Sequence, residues 1–351
     1  MPIAINPRSQ ESLWSTIYWL LLNPNSRYLD DHQVKQINSS LKSSVDVSIS
    51  NRLLANLNNG FVGMQPNGKG FYVTEQQALN WIKSAPKNQE VLKLSSSATD
   101  LADSPLGKPN RWIIDFRDMS IEEISDYKLP LEHLKTTVKL EREQNREAVL
   151  REKWWRFKRT NEALRIALSS LSSYLIIPRH SKWFMFLPAE SNWLPADSTT
   201  VVASDDFYIL GILTSNIHRT WVKAQSSTLG ETLRYTHNTC FETFPFPQNP
   251  APKLIASIRA TVQELHAYRS TQMEKKQWGI TKLYNEYFHE PTSQLFKLHK
   301  ILDELVLKAY DFSKTDDLLE KLLALNLELA EKEKNGEAVI GPWAPDNVLT
   351  G

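Results

Sequence analysis

Apolar residues change spacing several times along the chain, and each change predicts a change of element. The opening is amphipathic from Trp14 to Leu22, followed by a polar, helix-like stretch from His32 to Leu41 and an alternating strand from Val45 to Ile49. From Gly60 to Phe116 the runs shorten. Phe71 to Val73, Val91 to Leu94 and Trp112 to Phe116 read as strands separated by Asn, Gly, Pro and Ser turns. Asn67-Gly68, lying between GFVGM and GFYV, predicts a hairpin turn. Thr74 ahead of Gln77 has the spacing of a helix cap and opens a helix over Thr74 to Lys83.

A second short helix begins at Ser120, with Glu122 and Glu123 in the first turn where the helix dipole favours acids, and stops at Pro130. Between Glu132 and Leu171 there is no proline or glycine. Leu134, Val138, Val149, Leu164, Ile166, Leu168 and Leu171 recur near helical spacing, which predicts one long helix or two joined helices. Strand candidates return at Tyr174 to Pro178, Trp183 to Leu187 and Thr199 to Ala203, with a helix at Ser215 to Ala224. Pro245, Pro247, Pro250 and Pro252 predict a stiff, extended linker. Beyond it, Leu254 to Lys276, Gln294 to Asp311 and Asp316 to Lys334 have strong amphipathic spacing. The expected class is α+β: a mixed, strand-rich part carrying a long basic helix, then an α-helical C-terminal part.

Composition narrows the class. With 351 residues, 41% of them hydrophobic, the chain is long enough for two or three cores. No apolar run reaches the length of a membrane span, and no basic-then-apolar leader is present, so a cytoplasmic protein without a membrane partner is expected. The single cysteine, Cys240, can form neither an internal disulfide nor a thiolate metal site and reads as a small buried hydrophobe.

The formal net charge of +1 argues against nucleic acid until its distribution is considered. Lys135 to Arg165 holds Arg142, Arg146, Lys153, Arg156, Lys158 and Arg159 among its cations, whereas the tail beyond Asp311 is rich in Asp and Glu. One face is therefore expected to meet phosphate. Glu143, Glu147 and Arg151 at four-residue spacing fit an ordinary solvated helix just as well. Of the adjacent Trp154 and Trp155, about 100° apart on a helix, at least one should enter the core while the other covers a seam.

Two further segments are suited to reading DNA. After the apolar strand ending at Pro178, Arg179, His180 and Lys182 form a turn able to reach guanine edges in a major groove. From Val201 to Pro247, His218, Arg219, Trp221, Lys223, Arg234 and Tyr235 interleave cations with aromatics, with Arg219 and Lys223 four apart on one helix face and suited to phosphate anchoring. A bland surface turn and a bland helix remain open as readings of both. His180, His218 and His237 have no metal-site spacing, and Asp205-Asp206 is more cheaply an N-cap than a pair of catalytic carboxylates. Asp115 followed by Asp126 and Lys128 loosely copies a metal-dependent nuclease arrangement, but the helical pattern around SIEEISDY places those side chains wrongly.

Several colinear motifs resemble one family. The Val201 to Pro247 segment, RWIIDF at Arg111 to Phe116, REKWWRF at Arg151 to Phe157, ITKLYN at Ile280 to Asn285 and LHKILDELVLKAYDF at Leu298 to Phe312 look like the C-terminal part of MmeI-like (type IIL, type IIG) restriction-modification enzymes, which join nuclease, adenine-N6 DNA methyltransferase and DNA-reading modules. The resemblance implies residues 1–58 as the end of a methyltransferase domain, 59–250 as a target-recognition domain and 251–351 as a helical C-terminal domain. It also implies double-stranded DNA as partner. The chain carries no convincing counterpart of that family's Gly-rich S-adenosylmethionine loop or its Asn/Asp-Pro-Pro-aromatic loop; Asn23-Pro24-Asn25 has one proline and no following aromatic. Catalysis, with S-adenosylmethionine, is therefore expected on a separate methyltransferase subunit or a missing N-terminal part. The alternative is a degenerate fragment acting as an interaction or inhibitory module without DNA binding.

Overall fold

The computed structural model describes residues 27–29, 32–34, 45–226, 228–229 and 232–345. The Trp14 to Leu22 opening and Asn23-Pro24-Asn25 lie outside them. A small antiparallel ribbon joins β1 (Arg27–Leu29) to β2 (His32–Val34), so the start of the polar stretch is strand. Val47–Ile49 forms a 3-10 turn capped by the Asp46 carboxylate, where an alternating strand was expected.

Two sheets build the centre. In the first, β10 (Trp193–Pro195) runs parallel to β5 (Leu92–Ser96), and β5, β6 (Arg111–Ile114) and β4 (Tyr72–Val73) pair antiparallel. In the second, β3 (Gly60–Val62), β11 (Thr199–Val202), β7 (Ser173–Pro178) and β9 (Leu187–Glu190) are all antiparallel. The strand expected at Trp183 to Leu187 therefore begins only at Leu187, because Ser181 Oγ bonds Trp183 and turns the preceding residues out of the ladder. Two of the passages between these sheets, at Met64 and at Ala196, are joined by an isolated parallel bridge.

This geometry overturns the hairpin at Asn67-Gly68. β3 and β4 belong to different sheets, and Asn67, with φ of 56°, redirects the chain into a 3-10 turn at Lys69–Phe71. Asn67-Gly68 does turn the chain, but the strands on either side find their partners elsewhere through burial.

Helices cover the sheets. α1 (Glu75–Ser84) and α2 (Ala98–Asp103) each open with a capping box, Thr74 with Gln77 and Ser97 with Asp100, and α3 (Ile121–Ile124) opens with Ser120 and Glu123. The basic segment that follows is helical but interrupted: α4 (Lys128–Leu134), a π turn at Lys135–Lys139, α5 (Leu140–Glu143), α6 (Ala148–Glu152) and α7 (Glu162–Leu168). Arginine side chains cause the breaks. Arg151 donates to the carbonyls of Asn145 and Arg146, and Arg142 to those of Trp154 and Arg156, so carbonyls that a continuous helix would satisfy with backbone N–H groups are taken by guanidinium instead. Trp154 and Trp155 are both buried, edge to face, with Trp155 Nε1 donating to Met119 O at 2.9 Å.

The most apolar helix lies at the centre. α8 (Phe207–Thr214) is buried from Tyr208 to Thr214, as a helix apolar all round must be. Asp206 caps it, accepting from Tyr208 N, and also pairs with Arg259. Gly211 lets α10 (Pro252–Lys276) approach, since a Cβ there would stand 2.6 Å from Ile258 Cγ2. α9 (Asn216–Gln225), α11 (Ile280–Tyr287), α12 (Gln294–Ala309) and α13 (Leu318–Lys334) complete the helical part. The proline-rich connection before α10 is irregular but packed: Phe244 and Phe246 are fully buried, so it is part of the core and not a free linker. Buried Asn326 of α13 donates to the carbonyls of Asn51 and Thr243 and accepts from Asn51 N, tying the last helix to the first described core segment.

Candidate nucleic-acid interface

Where the chain crosses between the two sheets it leaves a cleft of about 590 Å³, floored by Gly60 to Gly63 and walled by Gln65, Arg159, Asn161, Arg179, Asp197 and His237. Its walls are fixed by backbone bonds. Gln65 and Arg159 exchange N–H groups and carbonyls, which sets Arg159 on the rim. Asn161, in the left-handed conformation at φ 49°, turns its side chain to donate to Val62 O. Gly63 is obligatory, because a Cβ would stand 2.1 Å from Ala196 O where the crossings touch. Arg179 N donates to Ser198 O, Arg179 O accepts from Tyr235 N, and its guanidinium reaches Asp197 O at 3.1 Å.

A third, small sheet extends this edge. β8 (His180–Ser181) pairs with β13 (Thr232–Arg234), which pairs with β12 (Thr228–Leu229), and the register sets Arg234 directly opposite His180. Cations are thus concentrated. Burial lowers the pKa of the Arg179 guanidinium, and Arg234 lowers it further. His180 is lowered by burial and then by Arg234 and Arg179, and His237 chiefly by burial. Both imidazoles are therefore held towards the neutral form, able to donate and accept. The arrangement offers cationic donors (Arg159, Arg179, Arg234), amide groups (Gln65, Asn161) and one carboxylate (Asp197). These are the groups that meet guanine, adenine and cytosine edges respectively, and they surround a site suited to an anionic polymer.

The expected site residues separate into three sets. Arg159, Arg179, His180 and Arg234 come together at the cleft and its edge. Arg146, Lys153, Lys182 and Lys223 are exposed elsewhere, Lys182 with its ammonium 5.3 Å from the Trp183 ring, and Lys158 is exposed but paired with Glu147. The remaining four are occupied by the fold. Arg142 is 1% exposed, donates to the carbonyls of Trp154, Arg156, Pro66 and Asn67 and stacks over Phe71. Arg219 is buried against Thr214 O, Asp303 and the Phe288 ring, which leaves Lys223 as the exposed cation of that helix face. Tyr235 is fully buried with its hydroxyl 3.1 Å from His218 Nε2, and half-buried Arg156 latches onto Met119 O and Asp118 O. Buried guanidinium groups already satisfied by carbonyls cannot serve a duplex without unfolding their surroundings.

Gln65, Asn161 and Asp197 went unnoticed in the sequence, since polar residues in loops carry no periodic signal; Asn161 alone could be sought as a residue tolerant of positive φ. Asp115 is buried in a bidentate pair with Arg165, and Asp126 pairs with Lys87 across the surface. Among the described residues no group of three or more His, Cys, Asp or Glu side chains is placed to hold a metal. The Gly60 to Gly70 stretch does not fit an S-adenosylmethionine loop: Gly63 abuts backbone, Gly70 abuts Thr137, and no α-helix follows directly to receive the cofactor. No helix among the described residues is long and apolar enough to cross a membrane.

A two-sheet crossing with a cationic, amide-rich cleft, backed by a helical part, is an arrangement suited to reading nucleic acid. Residues 42–248 match the family model "MmeI, target recognition domain", and the chain belongs to that family. It is 28% identical over 188 residues to DNA methyltransferase A of Bacillus subtilis (strain 168), covering 51% of this chain and 20% of that protein. Its fold is that of part of the type IIL restriction-modification enzyme MmeI solved in complex with DNA, with a TM-score of 0.68 at 20% identity, covering 87% of this chain and 39% of MmeI. The chain thus spans well under half the length of either relative.

Proposed function

We propose that this chain recognises a short sequence in double-stranded DNA on behalf of an adenine-N6 methyltransferase of a type IIL restriction-modification system. The observation that carries the reading is the convergence of Arg159 and Arg179 with Gln65, Asn161 and Asp197 on one cleft, with Arg234 on the small sheet at its edge, in a member of the target-recognition family. Arg179 reads a base edge, while Lys153, Lys182 and Lys223 position the duplex through its phosphates. Base flipping and methyl transfer, with S-adenosylmethionine, fall to a catalytic subunit or a further domain of the same protein.

Selection from a random duplex pool at moderate salt tests it. Enrichment of one short motif, abolished by Arg179→Ala together with Arg234→Ala, is the expected result. Retention without any enriched motif would overturn sequence reading by this chain and favour an interaction or inhibitory module.

A further inference from the structure

Met64, between Gly63 and Gln65 in the extended crossing, turns to the opposite side. There it lines a second cleft of about 350 Å³, together with Lys93, Asp115, Arg117, Arg165 and Trp193. Its charges do not balance. Arg165 donates Nη1 and Nη2 to the two oxygens of Asp115 at 2.8 and 3.1 Å and Nε to Thr160 O, and Arg117 N also bonds Asp115 Oδ1. That carboxylate and that guanidinium are committed to each other. Lys93 on β5 is half-buried and Arg117 is exposed, and among the described residues neither side chain has a hydrogen-bonding or ion-pairing acceptor. The other acid acting on Lys93 is Glu90, whose Oε2 already accepts from Tyr127 Oη at 2.6 Å.

An unpaired ammonium in a half-buried wall is unfavourable, and burial and Arg117 both push the Lys93 pKa down. A bound anion offsets both effects by favouring the charged ammonium. The hydroxyl of Ser191 and the amide of Asn192 stand on the exposed rim as neutral donors.

We infer that this cleft is a phosphate site, in which Lys93 and Arg117 bind one phosphate group above the fixed Asp115–Arg165 pair. The group is a phosphomonoester or phosphodiester, carried either by a free nucleotide or by a nucleic-acid backbone, and the site does not depend on sequence reading in the first cleft.

Two arms separate the sources in the intact chain. In one, inorganic phosphate and adenosine monophosphate are titrated at constant ionic strength, following the thermal midpoint and binding heat. In the other, the salt dependence of binding to a fixed duplex is measured. Lys93→Met keeps the aliphatic volume and Arg117→Ala changes an exposed side chain, with circular dichroism as the folding control. A free-ligand site gives a rise in midpoint with phosphate or nucleotide, and affinity falling about tenfold or more in each variant, as expected for one charge-assisted hydrogen bond. A backbone site instead lowers the duplex salt slope by about one in each variant, with the free ligands inert. Folded variants that match the parent in both arms overturn the inference. Phosphate binding lost in the variants while duplex selection yields no motif would support this site and count against the first reading alone.

Discussion

Two regions of this molecule gather cations and differ in what those cations do. Along residues 135–158, Lys135, Lys139 and Lys158 pair with acids, while Arg142, Arg151 and Arg156 are absorbed by backbone carbonyls. At the cleft, Arg179 makes one bond to a carbonyl, and Arg159 and Arg234 have no ion pair with an acid among the described residues. The first region uses positive charge to close a fold from broken helices; the second leaves it available. A count of Lys and Arg cannot tell these uses apart. What separates them is whether loops nearby present unsatisfied carbonyls, and the Pro66–Asn67 turn that feeds Arg142 is 75 residues distant in sequence from it.

The largest test of that contrast is Arg142→Ala. It strands four carbonyls around a buried site and removes the stacking on Phe71, so a loss of about 3 kcal/mol or more in denaturant unfolding is expected, with fragmentation of the 140–157 segment. A stable variant with uniformly weaker DNA binding would reverse the assignment and make Arg142 a phosphate contact. Next in size is Arg179→Ala. Relaxed preference at one base pair, costing about 1 to 3 kcal/mol in competition binding, is expected with little change in unfolding midpoint. Equal loss on every duplex would remove Arg179 from base reading.

Acidification moves the two kinds of site in opposite directions. Burial holds His218 down to about 3 and His266 down to about 4, against 6.5 for a free imidazole, so the folded chain keeps both neutral. The unfolded chain takes up those protons first; stability is therefore complete above about pH 6.5 and falls below it, by at most about 1.4 kcal/mol per pH unit for each group. At the cleft, His180 and His237 are likewise held towards the neutral form, by burial and, for His180, by Arg234 and Arg179, and a phosphate bound there favours their charged forms. Duplex affinity at fixed salt should rise between pH 7 and 5.5 while the unfolding midpoint drops. Parallel decline of both quantities would mean that neither cleft histidine meets phosphate.

Much of the fold was legible because its signals are local. Thr74 with Gln77, Ser120 with Glu123 and Asp206 act as caps as their spacing predicts, and the amphipathic helices at 252–276, 294–309 and 318–334 match the apolar periodicity closely. The errors are non-local. Nothing beside Asn67-Gly68 indicates that Tyr72 pairs with Ile113 in another sheet, and nothing in the apolar spacing of residues 132–171 reveals that Arg142 draws two later carbonyls back across it. Site legibility follows the same rule. Arg179 and His180 stand out as polar groups after an apolar strand and Arg234 as a cation among aromatics, whereas Gln65, Asn161 and Asp197 join them only through the crossing of two sheets.

The smallest expected effect discriminates most finely. Arg156 and Lys153 are three residues apart in one basic run, yet Arg156 is latched to Met119 O and Lys153 is exposed without an ion pair among the described residues. Lys153→Ala should weaken every duplex alike and lower the salt slope by about one, a change of a few tenths to about 1 kcal/mol at moderate salt. Arg156→Ala should instead lower the unfolding midpoint and leave the slope of the folded protein unchanged. If the slopes respond the other way round, the latch opens in the complex, and the basic run contributes to DNA binding by releasing side chains that close the free fold.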